Sequence, residues 1–233
     1  MSNFRGRDTA KKMYWELRSL QRKATRANAK ILDRYDANHS EKKLHIGCGF
    51  RVLDGWLNVD LHPRKPEVLE LDATQTFPLP SDHFDFVYSE HMIEHVPFAA
   101  GSVMLSECFR VLQPGGKFRL ATPDLRYLFD LFNEPLTDLQ QQYIDWSCET
   151  FIPEAPEPAP SFVFNAFVRM WGHTFIYDQE TLKAALDAAG FVEVVEKEIL
   201  ESDEPSLSGL EFTDRMPEGF LKLESQIFEA SKP

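Results

Sequence analysis

The chain has 233 residues, 25 Lys+Arg against 37 Asp+Glu and a formal net charge of −12. Hydrophobic residues make up 43% and charged residues 27%, which excludes a disordered or collagen-like chain. Cys48, Cys108 and Cys148, with no C-x-x-C spacing, exclude a disulfide framework and a cysteine-rich zinc site. No apolar run approaches the roughly 18 residues of a membrane span. The first seventeen residues, MSNFRGRDTAKKMYWEL, lack the apolar core of a signal peptide. A reducing, cytoplasmic location is the expectation. Residues 1–36 carry ten of the basic and four of the acidic residues, a balance of +6, which leaves −18 on the remainder. Phosphates would be repelled by that acidic body, so nucleic acid is not an expected partner of it.

Met13, Leu17, Leu20, Ala24, Ala27 and Ile31 recur at helical steps, and no Gly or Pro interrupts them, so residues 8–36 are expected to form one helix. Its stripe would pack on the main body or on a second copy, giving a homodimer. Its basic face could alternatively serve as an arm for phosphate, RNA or a membrane surface. KLHIG (43–47), WLNVDL (56–61), EVLELD (67–72), FDFVYS (84–89) and KFRLAT (117–122) then read as strands, with a helix over SVMLSECFRVL (102–112) and a turn at Pro114-Gly115-Gly116. This alternation indicates an α/β domain with a mostly parallel sheet. Pro123 could open a helix through LRYLFDLF.

Residues 134–177 break the rhythm. PEAPEPAP (153–160) has four Pro in eight residues and reads as an extended loop, and FVFNAFVRMW (162–171) is apolar and aromatic. A segment of this length suits a lid or binding element. A helix over QETLKAALDAAG (179–190), ended by Gly190, and strands over FVEVVEKEI (191–199) and FLKLESQIFEA (220–230) complete the chain.

In open α/β sheets ligands bind beyond the carboxyl ends of the strands. The first such end is His45-Ile46-Gly47-Cys48-Gly49, where two glycines permit a tight turn and close approach of a ligand. Val52 stands where a nicotinamide-binding loop would have a third Gly, and the span to Trp56 is too short for a pyrophosphate-holding helix. Asp60 could accept ribose hydroxyls and Asp72 an adenine amino group. The set suggests a nucleoside ligand without a pyrophosphate.

LHIGCG, GWLNVDL, LDAT, FDFVYSEHMIEHV and FRVLQPGGKFRLATPDL, in that order, resemble the class I S-adenosylmethionine-dependent methyltransferases. They resemble particularly the compact bacterial group with a shortened first crossover. The similarity continues in GHTFIYDQETLKAALDAAGF and LKLESQIFEASKP and spans about residues 42–232. It implies a Rossmann-like three-layer sandwich, with a seven-stranded sheet in the order 3-2-1-4-5-7-6 and the last strand antiparallel. A basic N-terminal helix (1–36) would precede a methyltransferase domain (37–233) that carries the insertion 134–177 as a lid. S-adenosylmethionine is the implied cofactor. His45, Gly47, Cys48 and Gly49 would meet its methionine part, Asp60 and Leu61 the ribose, Asp72 and Ala73 the adenine, and Ser89 and Glu90 the pocket floor. The family's usual acid two residues before the first Gly is replaced by His45, so another acid, Glu90 for instance, would have to meet the cofactor's ammonium group.

SEHMIEHV places His91, Glu94 and His95 in the spacing H-x-x-E-H. On a helix both histidines would share a face and could meet one ion, and the spacing matches an inverted zinc-protease signature. Within a methyltransferase-like order no metal is expected. His91, His95 and His173 are the candidate general bases, with Asp124 a further one. Phe162, Phe164, Phe167 and Trp171 could wall an acceptor pocket or form helix core, and Arg169 could clamp an anion. The expected activity is methyl transfer to a small-molecule or glycosyl acceptor at oxygen. A cofactor-binding protein without turnover, or an RNA-modifying enzyme using the basic helix, are the alternatives.

Overall fold

The computed structural model describes residues 2–233, with side chains from residue 11 onward. Strands β1 (Lys43–Ile46), β2 (Leu57–Asp60), β3 (Leu69–Glu70), β4 (Phe84–Glu90), β5 (Leu112–Pro123), β6 (Val192–Glu196) and β7 (Ser225–Ser231) form one sheet in the order β3-β2-β1-β4-β5-β7-β6. Pairs from β3 to β5 are parallel, and β7 runs antiparallel to both β5 and β6. This is the Rossmann-like order that the resemblance implies. Central strands covered on both faces need apolar side chains throughout. Leu44, Val59, Val87 and Leu120 accordingly have no exposed surface.

The helices are α1 (Ser2–Ala24), α2 (Ala27–Asn38), α3 (Phe98–Val111), α4 (Leu125–Asp130), α5 (Asp138–Phe151), α6 (Pro160–Arg169), α7 (Gln179–Ala189) and α8 (Phe220–Glu224). Met104, Leu105 and Cys108 of α3 and Leu182 and Leu186 of α7 are buried in the main core beneath the sheet. Asp178 caps α7 through the Thr181 N–H, and Gly190 closes it in a left-handed conformation (φ 103°). The insertion folds as α5 and α6. Their apolar faces join Tyr127 and Leu128 of α4 and Phe220 of α8 in a second core.

The expected single N-terminal helix is two. The chain breaks at Arg26, whose φ of 53° is left-handed. The two halves then do different work. Met13, Leu17 and Leu20 of α1 are exposed, whereas Ile31, Leu32 and Tyr35 of α2 pack into the main core. The Tyr35 hydroxyl donates to the carbonyls of Lys43 and Gly55 and accepts the Lys43 N–H. Asn28 pairs with the backbone of Glu70 through both its amide groups, completing the short edge strand β3.

Two further expectations shift. The segment FLKLESQIFEA starts as the helix α8 and becomes strand only at Ser225. Pro123 ends β5 and does not open α4, which is capped by Asp124 through the Arg126 N–H. Across the expected turn at Pro114-Gly115-Gly116 the strand continues, with a register shift against β4 between Phe84 and Phe86. Among the described residues, no helix is long and apolar enough to cross a membrane.

Candidate active site

The strand order reverses between β1 and β4, and there Ile46 lies beside Ser89. The Ser89 hydroxyl donates to the Ile46 carbonyl, tying the two carboxyl ends together. After β1 the chain turns sharply, with Gly47 and Cys48 both donating N–H groups to the Val59 carbonyl. A Cβ on Gly47, at φ 72°, would fall 2.4 Å from Met92 Cγ, so this glycine is required by the packing of the segment after β4. Gly49, at φ 55°, has no atom within 4 Å of such a Cβ and stands beside open space.

Asp60 supports that loop. Its Oδ2 accepts the Gly49 N–H at 2.9 Å and its Oδ1 the His62 N–H at 2.7 Å. Each oxygen keeps a lone pair for another donor. Asp72 accepts from Thr74 N–H and Oγ1–H through Oδ1 alone. With Leu61 and His62 it borders a cavity of about 630 Å³ whose other wall is Lys11 and Trp15 of α1. Trp15 stacks on the His62 ring at 4.6 Å.

Of the expected cofactor residues, Leu61 is exposed and Gly49, Asp60 and Asp72 are half-buried. Ala73 packs partly against the main core. His45, Cys48 and Ser89 are buried. His45 Nδ1 pairs with Asn58 Oδ1 at 2.9 Å, and burial pushes its pKa down to about 4, so the ring is neutral. Burial likewise pushes the Cys48 thiol up to about 12. Glu90 is held by two partners, the Phe212 N–H on Oε1 and Arg51 on Oε2.

Beyond β4 the chain turns at His91 (φ 46°), whose N–H donates to the Ala121 carbonyl. Only Ile93–His95 coil, as one 3-10 turn. The helix of the zinc-protease signature is therefore not formed, and the two histidines do not sit one helical turn apart. Both face Glu94 instead, whose side chain has no exposed surface. Glu94 Oε2 accepts the Thr122 hydroxyl at 3.1 Å. Its Oε1 lies 3.3 Å from His91 Nδ1 and 3.9 Å from His95 Nε2, and has no hydrogen-bond partner. Burial disfavours charge on this carboxyl, but His91 and His95 outweigh it and hold the group below the ordinary carboxylate range.

His173 arrives from the end of the insertion, with its ring 4.9 Å from that of His95. Its Nδ1 lies 2.7 Å from the Phe167 carbonyl. A carbonyl can only accept, so Nδ1 carries the hydrogen and Nε2 the lone pair. Burial lowers the His173 pKa and favours the neutral ring.

His91, Glu94, His95 and His173 line one side of a cavity of about 320 Å³. Trp146, Phe151, Phe167 and Trp171 supply its aromatic walls, and Arg215 and Glu224 complete the lining. The Tyr143 hydroxyl donates to Glu224 Oε2, and burial raises the Glu224 pKa. Arg215 Nη2 lies 3.9 Å from Glu224 Oε1, and its Nε and Nη2 are buried without hydrogen-bond partners.

Residues 55–120, from the approach to β2 into β5, match a family described as a methyltransferase domain. The match covers β2 with Asp60 and the segments after β3 and β4 that carry Asp72 and the His91–His95 turn, in a sheet of the order given above. The chain carries a methyltransferase domain, and its sheet has the order expected of the class I S-adenosylmethionine-dependent methyltransferases. No curated protein matches it by sequence. Among solved structures, a methyltransferase of Thermotoga maritima, described as a possible histamine N-methyltransferase, is 20% identical with a TM-score of 0.48, covering 89% of each chain. An Archaeoglobus fulgidus methyltransferase is 18% identical with a TM-score of 0.49, covering 91% of this chain and 94% of its own. Phosphoethanolamine N-methyltransferase 2 of Haemonchus contortus, bound to S-adenosylmethionine, is 16% identical with a TM-score of 0.44, covering 88% and 52%.

The cofactor of this methyltransferase is S-adenosylmethionine, and the donor set suits it: a carboxylate with spare lone pairs at Asp60 and open space beside Gly49. Of the aromatics named from sequence, Phe167 and Trp171 line the second cavity, while Phe162 and Phe164 pack against the second core. Arg169 is exposed at the end of α6. Trp146, Arg215 and Glu224 escape a reading of sequence. Only Trp146 leaves a signal, its spacing from Tyr143 on a single face of α5.

Proposed function

We propose that this methyltransferase acts on an oxygen of a small acceptor, a glycosyl hydroxyl included, seated in the aromatic cavity beyond β4 and β5. The observation that supports this reading is the grouping of His91, His95 and His173 around Glu94 on the cavity wall, directly after the strand that flanks the cofactor loop. When bound, S-adenosylmethionine supplies a methyl group on a positively charged sulfur, which leaves as the neutral thioether when the acceptor oxygen takes the carbon. An alcohol must also lose a proton, and an imidazole on that wall is suited to receive it. A neutral amine can attack through its lone pair without this help.

The chain's other work is placement. Trp146, Phe167 and Trp171 exclude water and stack on a ring. Arg215, with two unpartnered nitrogens, offers donors to a polar substituent. A volume of about 320 Å³ lies at the lower end of small-molecule sites and suits one or two rings. The test is transfer of labelled methyl from the cofactor to matched one-ring alcohols and amines. Label on the alcohol supports the reading. Label on the amine alone, or on polynucleotide alone, contradicts it.

A further inference from the structure

Glu94, His95 and His173 each present one ligand atom, and these three atoms all lie within 4.8 Å of one another. Two of the three also have the supports that metal ligands commonly show. The carboxylate of Glu94 is fixed through Oε2 by Thr122, and the ring of His173 is fixed through Nδ1–H by the Phe167 carbonyl, leaving Nε2 as the lone-pair nitrogen. Independently, Glu94 Oε1 is fully buried, has no hydrogen-bond partner and is faced by imidazole nitrogens. His91 Nδ1 stands 3.3 Å away in poor hydrogen-bond geometry, so this buried oxygen keeps lone pairs for a cation.

We propose that Glu94, His95 and His173 bind one divalent transition-metal ion of the zinc or ferrous class at the wall of the acceptor cavity. Two imidazoles and one carboxylate are a set that such ions accept with coordination positions left open. Around an ion with ligands at about 2.1 Å, neighbouring ligand atoms sit roughly 3.4 Å apart. The set closes to that spacing by side-chain rotation, for which His95, with a side chain 37% exposed, has room. His91 stays outside the set, with its Nε2 2.9 Å from Ser225 Oγ. The open positions face the aromatic cavity, where they would take an acceptor oxygen. That last assignment rests on the oxygen-acceptor reading, whereas binding of the ion does not; with the ion bound, its charge and not a lone pair of His95 or His173 would ease loss of the alcohol proton.

The test is titration of the tag-free, chelator-stripped full chain with Co²⁺ and with Zn²⁺, followed by calorimetry and by the visible bands of Co²⁺. One ion per chain is expected. Affinity should fall at least about tenfold in His95→Gln and in His173→Gln, each with an unchanged melting curve. Wild type that takes up neither ion at 100-fold excess over protein (about millimolar, a ceiling on any useful affinity), or variants that bind both ions as wild type does, overturn the site. X-ray absorption of the wild-type zinc complex decides the matter should either variant melt early. Two imidazoles in the shell support the assignment, and none refutes it. Ion binding without transfer to any alcohol would leave the site standing and remove the oxygen acceptor. Transfer to alcohols by a chain that binds no ion would do the reverse.

Discussion

Glu94 accepts the Thr122 hydroxyl through one carboxylate oxygen and turns the other toward His91 Nδ1, 3.3 Å away, in a side chain with no exposed surface. Thr122 stands at the carboxyl end of β5 and Glu94 just past the end of β4, so this one bond ties the wall of the aromatic cavity to the sheet. Thr122→Val keeps the shape and removes the donor. The loss is expected to be about 1–3 kcal/mol, the penalty for an unmet buried acceptor, read from urea unfolding.

Asp60 orders the loop after β1 through the Gly49 N–H and keeps spare lone pairs, which under the proposed function would accept ribose hydroxyls. Asp60→Ala removes both. S-adenosylhomocysteine should bind the variant about tenfold to a hundredfold more weakly, the equivalent of one charge-assisted hydrogen bond. The check is calorimetry on a variant whose far-UV spectrum matches wild type.

His45 links the loop to acid stability. Its folded pKa of about 4 lies below the ordinary value near 6.5, so the unfolded chain binds the extra proton between those values. Stability from the neutral, buried ring is therefore full above about 6.5 and is lost as pH falls toward 4. The loss attributable to this residue is at most about 3 kcal/mol. Urea midpoints at pH 7.5 and 4.5 should differ less in His45→Gln than in wild type. An equal difference would refute the assignment.

Arg119 is fully buried and meets Glu211 Oε1 and Glu229 Oε1, each at 2.6 Å. It also donates to the Glu201 carbonyl, pinning the 198–211 segment onto β5. Arg119→Met would strand two buried carboxylates, at a cost of about 3–5 kcal/mol. The triple change Arg119→Met with Glu211→Gln and Glu229→Gln should recover part of that loss, and thermal melting reads both.

The two N-terminal helices predict a sharp difference between truncations. Removing residues 1–20 deletes exposed apolar positions of α1 and should leave the melting temperature within a few degrees. Removing residues 1–36 takes Tyr35 from the core together with its bonds to Lys43 and Gly55, and should lower it by about 10 °C or more.

The sheet was readable because its strands alternate with helices, and the glycines after β1 and the carboxylate at the end of β2 mark two of its strand ends. Local patterning could not show the break at Arg26, since no Gly or Pro stands there and tertiary anchoring by Asn28 and Tyr35 decides it. Nor could it separate α8 from β7, because FLKLE alternates as well as a strand does. The aromatic cavity is assembled from the turn after β4, the end of β5, α5, α6 and α8, so Glu224 meets Tyr143 across 81 positions of sequence. Periodicity reports neighbours within an element, and such pairs lie beyond its reach.

The central claim is that the carboxyl end of this sheet holds S-adenosylmethionine beside an acceptor cavity. The most direct test is calorimetric titration of the folded chain with S-adenosylhomocysteine. Saturable binding of one molecule per chain, weakened in Asp60→Ala, is the predicted result. The absence of saturable binding by wild type at about millimolar ligand, where even an affinity of 4 kcal/mol would show, would contradict it.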